Sequence, residues 1–156
     1  MKQEESVDYQ IKAAWHAISR MYNQQAIKFD ITTSIGFVLL NIDSHEGTPA
    51  TKIAPLMGLE ARSLTRMLKS MEEKQLIFKK PDPYDGRSVR IFLTKEGKSK
   101  KDIARNTVIA FDNAVKAKIP ERKLKVFFEV INEINKIIDS NKIYTQPSIL
   151  KNEESY

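Results

Sequence analysis

Apolar residues along this chain follow two periods, and the change from one to the other divides it. Val7, Ile11, Ala14, Ile18 and Met21 recur at spacings of four, three, four and three, the stripe of an amphipathic helix that runs to about Lys28. A second helix follows, capped by Thr32 or Thr33 and filled by Ile35 to Ile42, until Ser44-His45-Glu46-Gly47 breaks the pattern. A short element from Ala50 to Met57 starts just after Pro49 and stops at Gly58, the asymmetry expected of a helix. From Glu60 to about Lys74 one side of the helical wheel carries Ala61, Leu64, Leu68 and Met71, and the other carries Arg62, Ser63, Arg66, Lys69 and Glu73, with Thr65 beside them. Past Gln75 the period becomes two: Leu76 to Lys80 is β-prone, and Val89, Ile91 and Leu93 alternate with Arg90 and Phe92. Pro81-Asp82-Pro83-Tyr84-Asp85-Gly86-Arg87 lies between the two strands, with Asp-Gly as a turn signal and two prolines to stiffen the loop, so the pair reads as a β-hairpin with a protruding tip. Helical spacing returns after Thr94, through Ile103, Val108, Phe111 and Val115, and again after Pro120, through Leu124, Phe127, Ile131, Ile134 and Ile138.

These elements predict a mainly α chain with one small β-hairpin, an α+β arrangement. We divide it into an N-terminal helix over residues 1–30, a compact lobe over 31–97, C-terminal helices over 98–141 and a flexible tail over 142–156. The helices at both ends carry apolar seams that the lobe does not need, and a second copy of the chain is the simplest cover for them. An intrachain three-helix pack would satisfy the same seam.

Charge adds a location. The formal net charge is +6, yet residues 52 to 105 hold fourteen basic side chains against seven acidic ones, so one region carries the whole positive field. Within it, a short helix joined by a tight turn to a helix with a polar outer face is the helix-turn-helix arrangement, whose second helix fits the major groove of a duplex. Arg62, Ser63, Thr65, Arg66 and Lys69 present the donors that read base edges and phosphates there. Such a face also suits a merely solvated helix, but the hairpin that follows offers a second basic device, Arg87 and Arg90 on a thin stiff loop of the width that enters a minor groove.

The stretch Asp82-Pro83-Tyr84-Asp85-Gly86-Arg87, followed by Leu93-Thr94-Lys95-Glu96-Gly97, resembles the wing signature of the multiple-antibiotic-resistance regulator (MarR) family. The resemblance extends upstream through Ile53-Ala54, Leu56-Met57-Gly58 and Leu64-Thr65-Arg66. It implies a winged helix-turn-helix lobe flanked by dimerisation helices and a homodimer on a pseudo-palindromic double-stranded DNA operator. Arg87 would enter the minor groove with Asp85 orienting it, and a small aromatic or acidic effector would relieve repression. Three positions depart from the family pattern: Gln75 stands where a Gly usually ends the recognition helix, Gly36 where relatives often carry a side chain, and Pro55 lies within the short helix.

Other classes find little support. No cysteine is present and only His16 and His45 could serve as imidazole ligands, so neither a thiolate nor a His-rich metal site is expected, nor a cofactor. No phosphate-binding Gly loop or nucleophile elbow appears, and we expect no enzyme. The charged start and the shortness of the apolar runs predict no membrane segment and a cytoplasmic protein. Trp15 and His16, an aromatic plane beside a polar ring, are the candidate effector contacts. A winged-helix module that binds a protein partner, with only weak nucleic-acid contact, is the alternative function.

Overall fold

The computed structural model describes residues 2–140 and 142–145. The expected tail lies outside the described residues beyond position 145. The chain falls into two compact units, Met1–Ala110 and Phe111–Tyr156. The first contains α1 (Val7–Ile27), α2 (Thr33–Leu40), β1 (Thr48–Pro49), α3 (Ala50–Leu56), α4 (Ala61–Glu73), β2 (Ile77–Pro81) and β3 (Val89–Leu93). Helix α5 (Lys95–Lys118) starts in the first unit, and α6 (Glu121–Asp139) lies in the second.

The core of the first unit is where the periodicities place it. Ile35, Val38, Leu39 and Ile42 come from α2 and its end, Ile53 and Ala54 from α3, Leu64, Leu68 and Met71 from α4, and Ile77, Ile91 and Leu93 from the strands. Thr32 caps α2, its hydroxyl accepting the Ile35 N–H at 3.1 Å. Helix α4 ends by a Schellman turn: the Leu76 N–H donates to the Met71 carbonyl at 2.9 Å, the Gln75 N–H to Glu72 at 2.9 Å, and Leu76 and Met71 are both buried. Gln75 takes the left-handed conformation that this turn requires, with φ 58°.

The expected two-stranded hairpin is a three-stranded antiparallel sheet in the order β1-β3-β2. The additional strand is short, with Thr48 opposite Ile91 and Pro49 opposite Arg90, too few residues to show a period of two. Close approach makes it fit, since a Cβ on Gly47 would lie 2.6 Å from the Ile91 carbonyl oxygen, and Gly47 has φ 66°. Strands β2 and β3 pair from Ile77 with Leu93 to Pro81 with Val89, which opposes Phe78 to Phe92 on the outer face, their rings stacked at 5.4 Å.

Helix α5 begins as a knot. The Thr94 hydroxyl accepts the Gly97 N–H at 3.0 Å and donates toward the carbonyls of Gln75 (2.7 Å) and Leu76 (3.1 Å), joining the end of α4 to the start of α5. A turn later Lys100 donates to the Phe29 carbonyl at 2.7 Å and Lys101 to the Ile42 carbonyl. Both are cations at the carbonyl ends of helices, where the dipole favours them. In the second unit, α6 buries no side chain and leaves Val126, Phe127, Phe128, Val130, Ile137 and Ile138 exposed.

Candidate nucleic-acid interface

Helix α4 turns Leu64, Leu68 and Met71 into the core, and the same rotation sends Arg62, Ser63, Thr65, Arg66 and Lys69 to solvent. Thr65 donates to the Ala61 carbonyl at 2.9 Å within its own helix. Among the described residues, Arg62, Arg66 and Lys69 make no side-chain hydrogen bond or ion pair, so three cations stand uncompensated on one face.

The tip of the hairpin is built by carboxylates. The Asp82 N–H donates to the Ser88 carbonyl at 2.9 Å and closes the neck. Asp82 Oδ1 accepts the N–H groups of Tyr84 (2.8 Å) and Asp85 (3.3 Å), and Asp85 Oδ1 accepts the Arg87 N–H at 3.1 Å. Gly86, which the Asp-Gly signal singled out, has no positive φ and nothing near its Cβ position; the turn forms through the aspartates instead. Arg87 is exposed, its backbone braced by Asp85 and its side chain free of any partner among the described residues.

Arg90 is placed otherwise than expected. Its Nε donates to Asp82 Oδ2 at 3.1 Å, its Nη1 donates to the carbonyls of Glu46 (3.2 Å) and Gly47 (3.4 Å), and its side chain is 16% exposed against 4% for that of Asp82. The guanidinium therefore bolts the hairpin to the turn before β1 and is not presented with Arg87. The Tyr84 N–H, followed by the Arg90 charge and the Asp85 N–H, holds the Asp82 carboxyl below the ordinary aspartate range, against the burial that pushes it up. Sequence reasoning passed over Asp82 as a site residue, and it also passed over Tyr84, which stands on the tip 90% exposed.

A family model described as the MarR family matches residues 31–89, from the start of the α2 core to the first residue of β3. The organic hydroperoxide resistance transcriptional regulator of Bacillus subtilis is 33% identical over 97 residues, which are 62% of this chain and 66% of that protein, just under two thirds of its length. Residues 31–89 therefore form a MarR-family domain. The HTH-type transcriptional regulator SarZ of Staphylococcus aureus is 26% identical over 129 residues, 82% of this chain and 83% of SarZ. The solved complex of S. aureus MepR with DNA superposes with a TM-score of 0.76 at 20% identity, covering 89% of this chain and 99% of that one, a likeness of fold.

The first unit has a second candidate site, a narrow crevice between α1, α2 and α5 of about 370 Å³ including its mouth. Tyr22, Phe29, Phe37, Ile103 and Val108 supply most of its wall, and no Asp, Glu, Lys, Arg or His lines it. Gly36, the family departure in α2, lies on its floor, where a Cβ would be 3.6 Å from the Ala104 Cβ. Trp15 and His16 do not line the crevice. Trp15 is half exposed and stacks on the outside of Phe37 at 6.1 Å, and His16 faces solvent. Among the described residues no three His, Cys, Asp or Glu gather as metal ligands would, and no helix is long and apolar enough to cross a membrane.

Proposed function

We propose that the chain is a sequence-specific, double-stranded-DNA-binding transcriptional repressor that acts as a homodimer and is released by a small effector. One observation carries this reading: three uncompensated cations on the outer face of α4 stand in the same lobe as Arg87 on a braced tip. A helix of that kind matches a major groove about 12 Å wide, and an Arg on a thin loop matches the narrow groove beside it. Arg62, Arg66 and Lys69 read bases and position phosphates, Ser63 and Thr65 add hydroxyl contacts, and Arg87, oriented by Asp85, enters the minor groove. The winged helix-turn-helix lobe does the reading, and α1 and α6 supply the dimer contact through the apolar side chains they leave exposed, including Val7, Trp15, Phe127 and Ile138.

The effector that fits the α1–α2–α5 crevice is flat, apolar and uncharged, because a carboxylate entering this wall would lose its hydration without gaining a cation. That reading narrows the aromatic or acidic class implied by the family resemblance.

Selection of the purified chain against a random duplex pool tests the function. Enrichment of a two-fold motif with half-sites about 34 Å apart is the expected result. Binding without any sequence preference defeats it in favour of a protein-interaction module. In a thermal-shift screen, neutral aromatic compounds should raise the melting temperature more than their acidic counterparts.

A further inference from the structure

We infer that Tyr84 is a DNA-backbone contact, its ring against a deoxyribose on the wall of the minor groove that Arg87 enters and its hydroxyl donating to a neighbouring phosphate oxygen. The inference rests on the duplex-binding reading above and adds a residue, a partner atom and a geometry to it.

Three observations carry it. Tyr84 is 90% exposed, more than any other large apolar or aromatic side chain among the described residues. Covering such a ring is favourable, so it gains from any surface that docks there. Its position is already fixed: Pro83 precedes it, its N–H is held by Asp82 Oδ1 at 2.8 Å, and the Arg90 guanidinium, itself locked, lies 6.0 Å from the ring centroid. Docking such a group costs little further ordering of the backbone. Tyr84 also shares the tip with Arg87, which the neck between Asp82 and Ser88 closes. Three residues span at most about 11 Å, and the minor groove is about 6 Å wide between its sugar-phosphate walls. An Arg87 in the groove thus brings Tyr84 to a wall.

The chemistry of the side chain selects what it meets on that wall. A flat apolar face suits the C–H edge of a sugar, and a phenol hydroxyl donates to a phosphate oxygen without reading a base. The hollow beside the ring is lined by Lys80, Glu46 and Arg90 as well as Tyr84, and with the Arg90 charge engaged by Asp82, Lys80 is the cation there for a phosphate to meet. Lys80 lies 5.5 Å from the centroids of both Phe78 and Phe92, a cation kept over the outer face of the sheet.

The test uses the full chain and the duplex that the wild type enriches from a random pool, with fluorescence anisotropy for affinity and hydroxyl-radical cleavage for the sugars. Tyr84→Phe should weaken binding about tenfold by removing one hydrogen bond to a charged acceptor, and Tyr84→Ala about 100-fold by removing the ring as well. Tyr84→Ala should also lose protection of the sugars that flank the Arg87 site while major-groove guanines stay protected from methylation. Affinities of both variants within about twofold of wild type, with the sugar footprint unchanged, overturn the inference. Both variants are expected to melt with the wild type because the ring is in water; if Tyr84→Ala does not, Tyr84→Phe and its footprint decide alone. Failure of the wild type to enrich any duplex is a separate result, which removes the duplex-binding reading before any variant is compared.

Discussion

Three helices of the first unit finish with the same left-handed residue, and only one of the three is glycine: Asp30 with φ 55°, Gly58 with φ 61° and Gln75 with φ 58°. In each case the following amide reaches back to close the turn, Ile31 to Ala26, Leu59 to Ala54 and Leu76 to Met71. At Gln75 this strains a side chain that faces water, so Gln75→Gly should stabilise the chain by roughly 0.5 to 1 kcal/mol in urea unfolding. The reverse holds at Gly97, where a Cβ would overlap the Leu76 carbonyl oxygen, and Gly97→Ala should destabilise by about 3 kcal/mol in the same measurement. Asp82 gives a pH dependence. Its carboxyl is held below its unfolded value, so the stability it contributes is present above the unfolded pKa and is lost as pH falls through the folded one. The stability difference between wild type and Asp82→Asn should therefore shrink as urea midpoints are followed from about pH 5 to about pH 3. The Asp82-to-Arg87 run was legible as a turn, but its carboxylate wiring was not, because an aspartate that accepts backbone amides is spelled the same way as one that meets a cation. Arg90 shows the same limit, since the strand alternation that puts it on the outer face does not say that Asp82 waits there.

Among the elements, the helices were legible because burial on one side writes a period into the sequence. The Leu64, Leu68 and Met71 stripe by itself sets the outward face of α4. Strand β1 was not, since two residues held by pairing with Ile91 and Arg90 depend on partners more than 40 positions away. The lysines at the start of α5 were equally opaque: a run of Lys suits solvent or a phosphate, yet Lys100 and Lys101 donate to carbonyls just past the ends of α1 and α2. Thr94 is the element-level joint, one hydroxyl that caps α5 and ties it to the last turn of α4. Thr94→Val keeps the shape and deletes the joint, and it should cost about 1 to 2 kcal/mol in thermal unfolding, with faster hydrogen exchange at Leu76 and Gly97 than elsewhere in the lobe. The crevice lies between α1, α2 and this same α5, so an occupant there bears on the helix that holds the end of α4.

At the scale of the whole molecule, the terminal helices are the part that the described residues leave uncovered. Helices α1 and α6 bury no side chain, and Phe127 and Ile138 remain 54% and 56% exposed, which a lone chain would hold in water at a cost. Phe127→Glu should turn the proposed dimer into a monomer by analytical ultracentrifugation at micromolar concentration, while the far-ultraviolet spectrum stays helical. The apolar seam at both ends was legible in the sequence; which copy or element covers it was not, because a heptad stripe names a need and no occupant. The positive region between residues 52 and 105 was legible as a sum, but Arg90, Lys100 and Lys101 point their charges inward at Asp82, Phe29 and Ile42. A duplex sheds condensed counterions only where a cation displaces them, and the logarithm of affinity then falls against the logarithm of ionic strength by about 0.9 per phosphate neutralised. Lys69→Ala should flatten that line by about one unit of slope. Lys101→Gln, which removes just as much formal charge, should leave the line where it is and lower only the melting temperature.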